Sequence, residues 1–350
     1  MKSVVMIGPS PLSRGGMASV IALLLRHGYC DNPRCRFIAS QVDGSTLRKA
    51  CRAGAACCQF IGLLLAGRVG LLHVHVASGM SFWRKSVFIS LALMFGVPVL
   101  FHLHGGEFID FVERRLSGWR RSLACGLVAR CAGALALTAE SAHWLRQRCR
   151  LAKVDVFPNP IDCAAAMPRT PAREVLFIGR LERKKGVFDL LDSFPAVLLT
   201  HPTARLILAG EGNKDAVLAH ARHLGIADRI VLPGWVGDIE RAALLARAAV
   251  FVLPSWHEQM PIVVLEAMAA GTPVVATAVG AIPEMLLYGG VGKLVPARDS
   301  AKLASAILCI MDDNILADMY SVSGLARARS EYMVEVVLQR LQRRYEELAA

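Results

Sequence analysis

The stretch that decides the fold reads SWHEQMPIVVLEAMAAGTPVV and occupies residues 255–275. Residues 261–270 form an almost entirely apolar run, and Gly271, Thr272 and Pro273 then lead into a β-branched run. This pattern predicts a buried helix, a tight turn and a buried strand. A buried helix followed closely by a buried strand is typical of an α/β protein with a parallel sheet.

The same alternation continues on both sides of this stretch. Short β-branched runs predict strands at residues 4–7, 36–40, 71–76, 97–103, 134–138, 153–157, 174–178, 205–209, 230–233, 250–253 and 273–276. Helices are predicted between them and at the end of the chain, at residues 47–66, 81–95, 139–148, 186–199, 214–224, 240–248, 261–270 and 330–348. The fold class is therefore α/β, with two Rossmann-like domains facing each other across a cleft.

Proline marks the change from the first series of strands to the second. Pro158-Asn159-Pro160 and the prolines of residues 168–171 read as loop. We predict an N-terminal domain over residues 1–160 and a C-terminal domain over residues 161–329. The final helix, residues 330–350, is predicted to pack back toward the N-terminal domain. A chain of 350 residues suits two domains of this size.

The positive charge of the chain lies in its first half. The formal net charge is +12, with 40 Lys and Arg against 28 Asp and Glu. Residues 1–172 hold 21 of these cations and 8 of the anions, and the remainder is close to neutral. Over residues 111–123, four arginines alternate with apolar side chains, which suits an anionic membrane surface. A solvated helix face is the alternative, and nucleic acid is disfavoured because no RNA-binding motif is present.

Targeting signals and cysteines point to the cytoplasm. The apolar runs at residues 61–67 and 87–101 are shorter than the roughly 18 to 20 residues that span a bilayer. The first residues lack a signal-peptide pattern. The ten cysteines include no Cys-x-x-Cys pair, so we interpret them as small core residues in a reducing compartment. We expect a cytoplasmic protein, peripheral at the inner face of the cytoplasmic membrane.

Gly15 and Gly16 lie between the first predicted strand and a helix. Glycines at a helix start allow a phosphate to approach the free backbone N–H groups, although a tight turn alone needs them too. The spacing is not Gly-x-Gly-x-x-Gly, which disfavours a nicotinamide-dependent dehydrogenase.

Arg180 and Lys185 lie in the loop of residues 177–186, which follows a strand and enters a helix. An arginine can bind diphosphate oxygens with two nitrogens, and a lysine adds a point charge. A solvated basic loop is the alternative.

Glu258 and Glu266 are separated by seven residues. Glu266 lies in an otherwise apolar helix, where a carboxylate is costly unless it is paired or binds a polar ligand. A surface glutamate beside a buried helix is the alternative.

Four histidines, His73, His75, His102 and His104, occupy alternating positions of two strands and so share one face. They suggest a metal, but no carboxylates accompany them, and core or loop histidines are the alternative. Asp312-Asp313 is the nearest match to a metal-binding acidic pair. We therefore predict that no metal or other cofactor is required.

Together these motifs resemble family 4 retaining glycosyltransferases, which have the GT-B fold. Glu258 and Glu266 are similar to the Glu-x7-Glu signature of that family, in the variant with Pro261. Residues 177–186 resemble its phosphate loop, and Gly15-Gly16 resemble its N-terminal diglycine loop. Residues 158–162 resemble its domain junction, with proline in place of glycine.

The resemblance implies a role for each motif. The C-terminal domain would bind a nucleotide diphosphate sugar and the N-terminal domain its acceptor. Arg180, Lys185 and the Gly15-Gly16 loop would hold the diphosphate, and Glu266 the ribose. Glu258 would hold the donor sugar together with the backbone at Met260, Pro261 and Ile262. His104 would position the acceptor or the sugar.

The resemblance further implies a hexosyltransferase of polysaccharide assembly. It would move a hexose from a GDP- or UDP-linked sugar to a lipid-linked glycan, with retention of anomeric configuration. The product would belong to exopolysaccharide, capsule or lipopolysaccharide. Two alternatives are a nucleotide-sugar 2-epimerase of the same fold and a non-catalytic nucleotide-sugar-binding protein.

Overall fold

The computed structural model describes residues 2–13, 15–32, 34–162 and 169–349. The chain divides into two compact units. Unit 1 combines Met1–Pro160 with Val334–Ala350, and unit 2 is Ile161–Met333. Within the proline-rich junction predicted from the sequence, Pro168 lies outside the described residues.

Unit 1 contains one parallel sheet of six strands in the order β2-β1-β3-β4-β5-β6. The strands are β1 Ser3–Pro9, β2 Cys35–Gln41, β3 Val69–Val76, β4 Val99–Leu103, β5 Gly133–Ala136 and β6 Val154–Val156. The helices are α1 Gly16–Arg26, α2 Thr46–Leu65, α3 Met80–Met94, α4 Phe108–Asp110, α5 Gly118–Ala129 and α6 Ala139–Arg148. A π-helical turn, Phe111–Arg115, follows α4.

The two faces of the unit 1 sheet carry different chemistry. Val74 and Val76 of β3 and Phe101 of β4 belong to a continuous apolar core that also includes α3 side chains. His73 and His75 point to the opposite face, because side chains alternate along a strand. The register pairs His75 with His102 of β4, so the histidines of the two strands lie side by side.

Unit 2 contains a second parallel six-stranded sheet, in the order β12-β11-β10-β7-β8-β9. Its strands are β7 Glu174–Ile178, β8 Arg205–Ala209, β9 Ile230–Gly234, β10 Val250–Leu253, β11 Val274–Thr277 and β12 Lys293–Val295. Its helices are α7 Val187–Thr200, α8 Lys214–His223, α9 Asp238–Arg247, α10 Ile262–Ala269, α11 Ile282–Met285, α12 Ser300–Asp312 and α13 Asn314–Arg327. These two sheets confirm the predicted α/β class.

The centre of the unit 2 sheet is where its strand order reverses. The chain moves outward from β7 through β8 to β9, and then returns to β10 on the other side of β7. In open parallel sheets, ligands bind outside the carboxyl ends of the strands at such a reversal. The loops that follow β7 and β10 are the two that carry the basic and glutamate motifs.

The last helix begins later than the sequence predicts. The prediction of one helix over residues 330–348 is wrong at its start, because Ala328–Tyr332 continues α13 as a π-helical turn. Met333 is then extended and bridges to Ile161. Helix α14, Val334–Ala349, follows and groups with unit 1.

No helix within the described ranges combines the length and apolarity needed to cross a bilayer. The nine cysteines that the structure describes are all free thiols.

Candidate active site

In unit 2, the loop after β7 packs directly against the loop after β10. The Lys184 carbonyl accepts a hydrogen bond from the Trp256 backbone N–H at 2.9 Å. Gly186 has a φ of 69°, and a Cβ there would lie 1.9 Å from the Pro254 carbonyl oxygen. Only glycine permits this approach, so the loop contact depends on Gly186.

This loop contact brings together two residues that were predicted from separate motifs. Lys185 Nζ donates a hydrogen bond to Glu258 Oε1 at 2.5 Å. The two side chains are only 25% and 12% exposed, which makes the pair much better shielded than a surface ion pair. The pair therefore presents one cation and one carboxylate at the strand-order reversal of the sheet.

Trp256 fixes the loop after β10 from its other side. Its indole Nε1 donates to Asp189 Oδ2 at 2.6 Å, and the Arg298 guanidinium lies 4.2 Å from its ring centroid. The sequence analysis did not select Asp189 or Arg298, because only the fold brings them to Trp256.

Arg180 does not contact Lys185 or Glu258. Its side chain is 70% exposed and pairs with Glu182 at 2.7 Å. Glu182 also pairs with Lys184 at 3.4 Å. An exposed ion pair contributes roughly 0–1 kcal/mol, so Arg180 is held only weakly in this position.

Glu266 on α10 pairs with a residue that the sequence analysis missed. Glu266 Oε2 lies 3.0 Å from Arg241 Nε on α9, and Arg241 also pairs with Asp238 at 2.8 Å. Burial raises the pKa of the Glu266 carboxyl, and Arg241 acts in the opposite direction. The sequence predicts that the Glu266 carboxylate needs a partner, and Arg241 pairs with one of its two oxygens.

The segment before α10 leaves two polar atoms without partners. Met260 and Pro261 are buried, and Ile262 is the first residue of α10. Ser255 Oγ and Gln259 Oε1 are buried and have no hydrogen-bond partner in the part of the chain that the structure describes. Unsatisfied buried polar atoms are rare in folded proteins, and beside a helix N-terminus they fit the binding of a polar ligand.

In unit 1, Gly15 and Gly16 form the exposed start of α1. Gly15 has a φ of 124°, which favours glycine, and it is the residue that precedes the helix. A Cβ at Gly15 would meet no described atom within 4 Å. The backbone conformation, rather than close packing, therefore requires glycine at this position.

His104 lies just after β4 and is paired with His75. Its Nε2 is 2.8 Å from His75 Nδ1. Burial lowers the pKa of His104 to about 3 and that of His75 well below its usual range, so both rings are neutral. From the sequence, His75 was either a metal ligand or a core histidine, and the structure makes it the partner of His104.

The hydrogen bonds of the pair set the position of their protons. His75 Nε2 is buried and has no partner among the described residues. If Nε2 carried the proton, a buried N–H would lack an acceptor, which costs more than a buried ring nitrogen that lacks a donor. We therefore assign the His75 proton to Nδ1. His75 then donates to His104 Nε2, and the His104 proton lies on Nδ1. His104 can therefore offer an N–H donor to a ligand oxygen.

His73, His75 and His102 are the described residues that could hold a metal, since one nitrogen of each lies within 4.8 Å of the others. His73 and His102 stack with 13° between their rings, and the His75 ring is tilted by 37° and 35° to them. His73 Nε2 is bound to His102 Nδ1 at 3.1 Å. The predicted acidic pair is used otherwise: Asp312 pairs with His201, and Asp313 caps α13.

The basic segment after β4 is largely neutralised within unit 1. Arg114 and Arg115 pair with Asp110, Arg115 also pairs with Glu107, and Arg121 pairs with Glu113. Arg120 instead lies over the exposed Trp119 ring, 5.3 Å from its centroid. These ion pairs reduce the attraction of the segment for an anionic surface.

The two units have the architecture of glycosyltransferases with the GT-B fold. A family model described as "Glycosyltransferase Family 4" matches residues 35–165. A second one, described as "Glycosyl transferases group 1", matches residues 172–313. The chain belongs to the family 4 glycosyltransferases, as its motifs indicated.

Three known proteins illustrate the similarity. A glycogen synthase from Mycobacterium tuberculosis is 32% identical over 255 residues, covering 70% of this chain and 62% of the relative. A phosphatidyl-myo-inositol mannosyltransferase from Mycobacterium leprae is 38% identical over 187 residues, covering 53% and 49%. The structure of Anabaena HepE in complex with UDP superposes with a TM-score of 0.77 at 19% identity, covering 99% and 100%. The chain thus spans less than two thirds of the length of both curated relatives.

Proposed function

We propose that the chain is a retaining glycosyltransferase that moves a hexose from a GDP- or UDP-linked sugar to a lipid-linked glycan. The observation that carries this proposal is the shielded Lys185–Glu258 pair, which lies where the strand order of unit 2 reverses. Family membership and the UDP complex of the similar HepE structure support a nucleotide-sugar donor.

Each residue that was predicted to bind the nucleotide sugar has a proposed task. Lys185 and Arg180 bind the diphosphate, and Arg180 leaves its weak pair with Glu182 to do so. Glu266 binds the ribose through the oxygen that does not face Arg241. Glu258 and the backbone at Met260, Pro261 and Ile262 hold the sugar. Gly15 and Gly16 of unit 1 offer N–H groups at the start of α1.

Departure of the diphosphate places negative charge on its oxygens. Lys185, Arg180 and helix N-termini can offset that charge with fixed donors and dipoles. We therefore propose transfer without a required metal, by attack on the same face of the sugar. His104, as a neutral N–H donor, positions the sugar or the acceptor. Unchanged turnover after treatment with EDTA is the expected result, and a loss restored by a divalent cation would contradict it.

We further propose that unit 1 binds the acceptor at the inner face of the cytoplasmic membrane, during assembly of exopolysaccharide, capsule or lipopolysaccharide. The paired arginines of residues 114–121 contribute less to this attachment than their sequence predicts. Helix α2 is a better candidate surface, because Leu47 and Leu65 are 74% and 72% exposed and Arg48 lies at its start. Exposed apolar and basic side chains on one helix suit a membrane interface.

The experiment that tests the proposal is a transfer assay with purified protein. UDP- and GDP-linked hexoses are supplied with a lipid extract, and the product is analysed by NMR. The expected result is an acceptor-dependent product with the anomeric configuration of the donor. Donor conversion without acceptor would favour the nucleotide-sugar 2-epimerase. Binding without any conversion would favour the non-catalytic binding protein.

A further inference from the structure

Unit 1 has a pocket at the carboxyl ends of β1 and β2 to which the proposed donor chemistry assigns no role. Its volume is about 580 Å³. No acidic side chain is among the lining residues that the structure describes, which are Ser10, Ala39, Val42, Arg48, Cys51 and Arg52. The pocket lies on the β2 side of the sheet, whereas the strand order of unit 1 reverses between β1 and β3.

The two arginines of the pocket are free to bind an anion. Arg52 Nε donates to the Ala39 carbonyl at 2.8 Å, which orients its guanidinium and leaves the two terminal nitrogens available. Arg48 uses only its backbone N–H, which donates to Ser45 Oγ at 3.3 Å. Neither side chain forms an ion pair within the described ranges. An oriented guanidinium can bind two oxygens of one phosphate.

The local charge arrangement is unfavourable without an anion. Arg48 and Lys49 lie in the first turn of α2, where the helix dipole is positive and cations are destabilising. Arg48 and Arg52 are one turn apart on the helix, so their charges repel. Against these three cations, the segment of residues 42–52 holds one acid, Asp43. Ser45 caps the helix, but its first turn contains no acid, so the cations there carry a local cost that a bound anion would offset.

A further cation approaches the same strand end. Gln41, between the lining residues Ala39 and Val42, accepts a hydrogen bond from Arg84. Arg84 Nε and the neighbouring Lys85 Nζ are buried and have no partner in the described part of the chain. Lys85 is 0% exposed. Arg84 therefore adds one cation beside the end of β2, whereas burial lowers the pKa of Lys85 to about 7 and favours its neutral form.

From these observations we propose that the pocket binds a phosphate or diphosphate ester, with Arg48 and Arg52 as its ligands. The inference rests on the proposed function, because it assigns the pocket to the acceptor and makes that acceptor a phosphorylated compound. The charge is best matched by a phosphate dianion, since two guanidinium groups face one anion.

Calorimetry with inorganic pyrophosphate tests this site. The full chain carries Lys185→Gln in every sample, which weakens the proposed donor site. Adding Arg48→Gln or Arg52→Gln, one at a time, should reduce the affinity for pyrophosphate by roughly tenfold. The control is Arg130→Gln, which removes the same charge from the exposed end of α5 and should change the affinity less than about twofold.

Two results would contradict the proposal that the pocket binds phosphate. One is unchanged affinity in the arginine variants, and the other is an equal loss in the Arg130→Gln control, which would indicate diffuse attraction. Because Arg52→Gln could disturb β2, the pyrophosphate affinity and the urea unfolding midpoint are both measured for Arg48→Gln alone. An unchanged midpoint with reduced affinity for pyrophosphate supports the site, and an unchanged affinity opposes it.

The source of the phosphate is resolved with vesicles of phosphatidylcholine that contain phosphatidic acid. Binding that is lost with Arg48→Gln and Arg52→Gln supports the pocket and makes the phosphate lipid-borne. Binding of pyrophosphate but not of vesicles supports the pocket with a soluble phosphate ester. Nucleotide-sugar binding is measured separately with Arg48→Gln and Arg52→Gln in chains that retain Lys185, and wild-type affinity there keeps this outcome distinct from that of the proposed function.

Discussion

At the scale of single residues, the candidate sites of both units are defined by pairs rather than by individual side chains. Lys185 is held by Glu258, Glu266 by Arg241, and His104 by His75. Each pair fixes a geometry that a ligand can use, since a paired group loses little further freedom on binding. A substitution at one partner therefore reports on the other, which makes the pairs testable.

The His75–His104 pair yields a prediction about a proton. With ¹⁵N-labelled histidine, NMR should show His104 protonated at Nδ1 and neutral between about pH 5 and about pH 8, because its pKa is lowered to about 3. His75→Phe removes the donor to Nε2, and His104 should then populate both tautomers. Turnover should fall while the donor KM changes little. His143→Phe, on the exposed surface of α6, is the control.

A His104 proton found on Nε2 in the wild type would contradict this assignment. So would a His104 ring that titrates near its ordinary pKa of about 6.5.

At the scale of elements, two loops build the candidate site of unit 2. The loops after β7 and β10 meet through Gly186 and Pro254, and this contact brings Lys185 to Glu258. The chain thus uses a glycine to bring two loop backbones together at the place where the strand order reverses. The geometry of the pair depends on that contact more than on either side chain.

Gly186→Ala should be much more destabilising than Gly225→Ala. Both glycines have a φ of 69°, but a Cβ at Gly225 meets no described atom within 4 Å, whereas one at Gly186 meets the Pro254 carbonyl. Strained φ alone costs about 1–2 kcal/mol, and the clash adds about 1–3 kcal/mol. Urea unfolding of the two variants measures the difference. Equal losses would mean that the loop contact is not tight.

The sequence predicts most elements well, because hydrophobic period and turn residues are local signals. Most strands of both series, and the longer helices between them, follow from such patterns. Strand β12, which has only three residues, was not predicted, and neither were helices α5, α11, α12 and α13. The start of α14 was misplaced because Ile161, which bridges Met333, is distant in sequence.

The site was predicted less completely than the fold. Motif spacing in the sequence indicated Lys185, Glu258 and Glu266, but it does not show how far apart these side chains lie in the fold. Arg241 and His75 act through tertiary contacts from other elements. Their roles could not be recognised from one sequence, because no local pattern distinguishes them from ordinary surface or core residues. The roles of the site residues toward ligands stay predictions.

At the scale of the whole molecule, the two units have different electrostatic characters. The cationic excess lies in the first half, whereas the proposed diphosphate site lies in the near-neutral second half. The proposed nucleotide site therefore does not account for the charge, and we propose a use for it at Arg48 and Arg52 of α2, which form no ion pair with the described residues.

The buried histidines of unit 1 should make the protein sensitive to acid. Burial lowers the pKa of His73 to about 3 and those of His75 and His102 well below their usual range. Below about pH 6.5 the unfolded chain binds more protons than the folded one, so the free energy of unfolding falls with pH. Each ring contributes up to about 1.4 kcal/mol per pH unit.

Urea unfolding between about pH 7 and about pH 5 checks this effect. His102→Gln should reduce the pH dependence by about one proton, and His143→Gln, at an exposed position, should not. A stability that is independent of pH in this range would mean that the histidines are not buried.

The most direct test of the central claim is calorimetric titration of UDP- and GDP-linked hexoses into the wild type, Lys185→Gln and Lys184→Gln. Lys184 is the matched control, because it is adjacent, equally charged and paired only with Glu182 in the described structure. The wild type should bind one of these donors. Lys185→Gln should bind it roughly 10- to 100-fold more weakly, and Lys184→Gln within about twofold of the wild type. Unchanged binding by Lys185→Gln, or binding of neither donor by the wild type, would contradict the account.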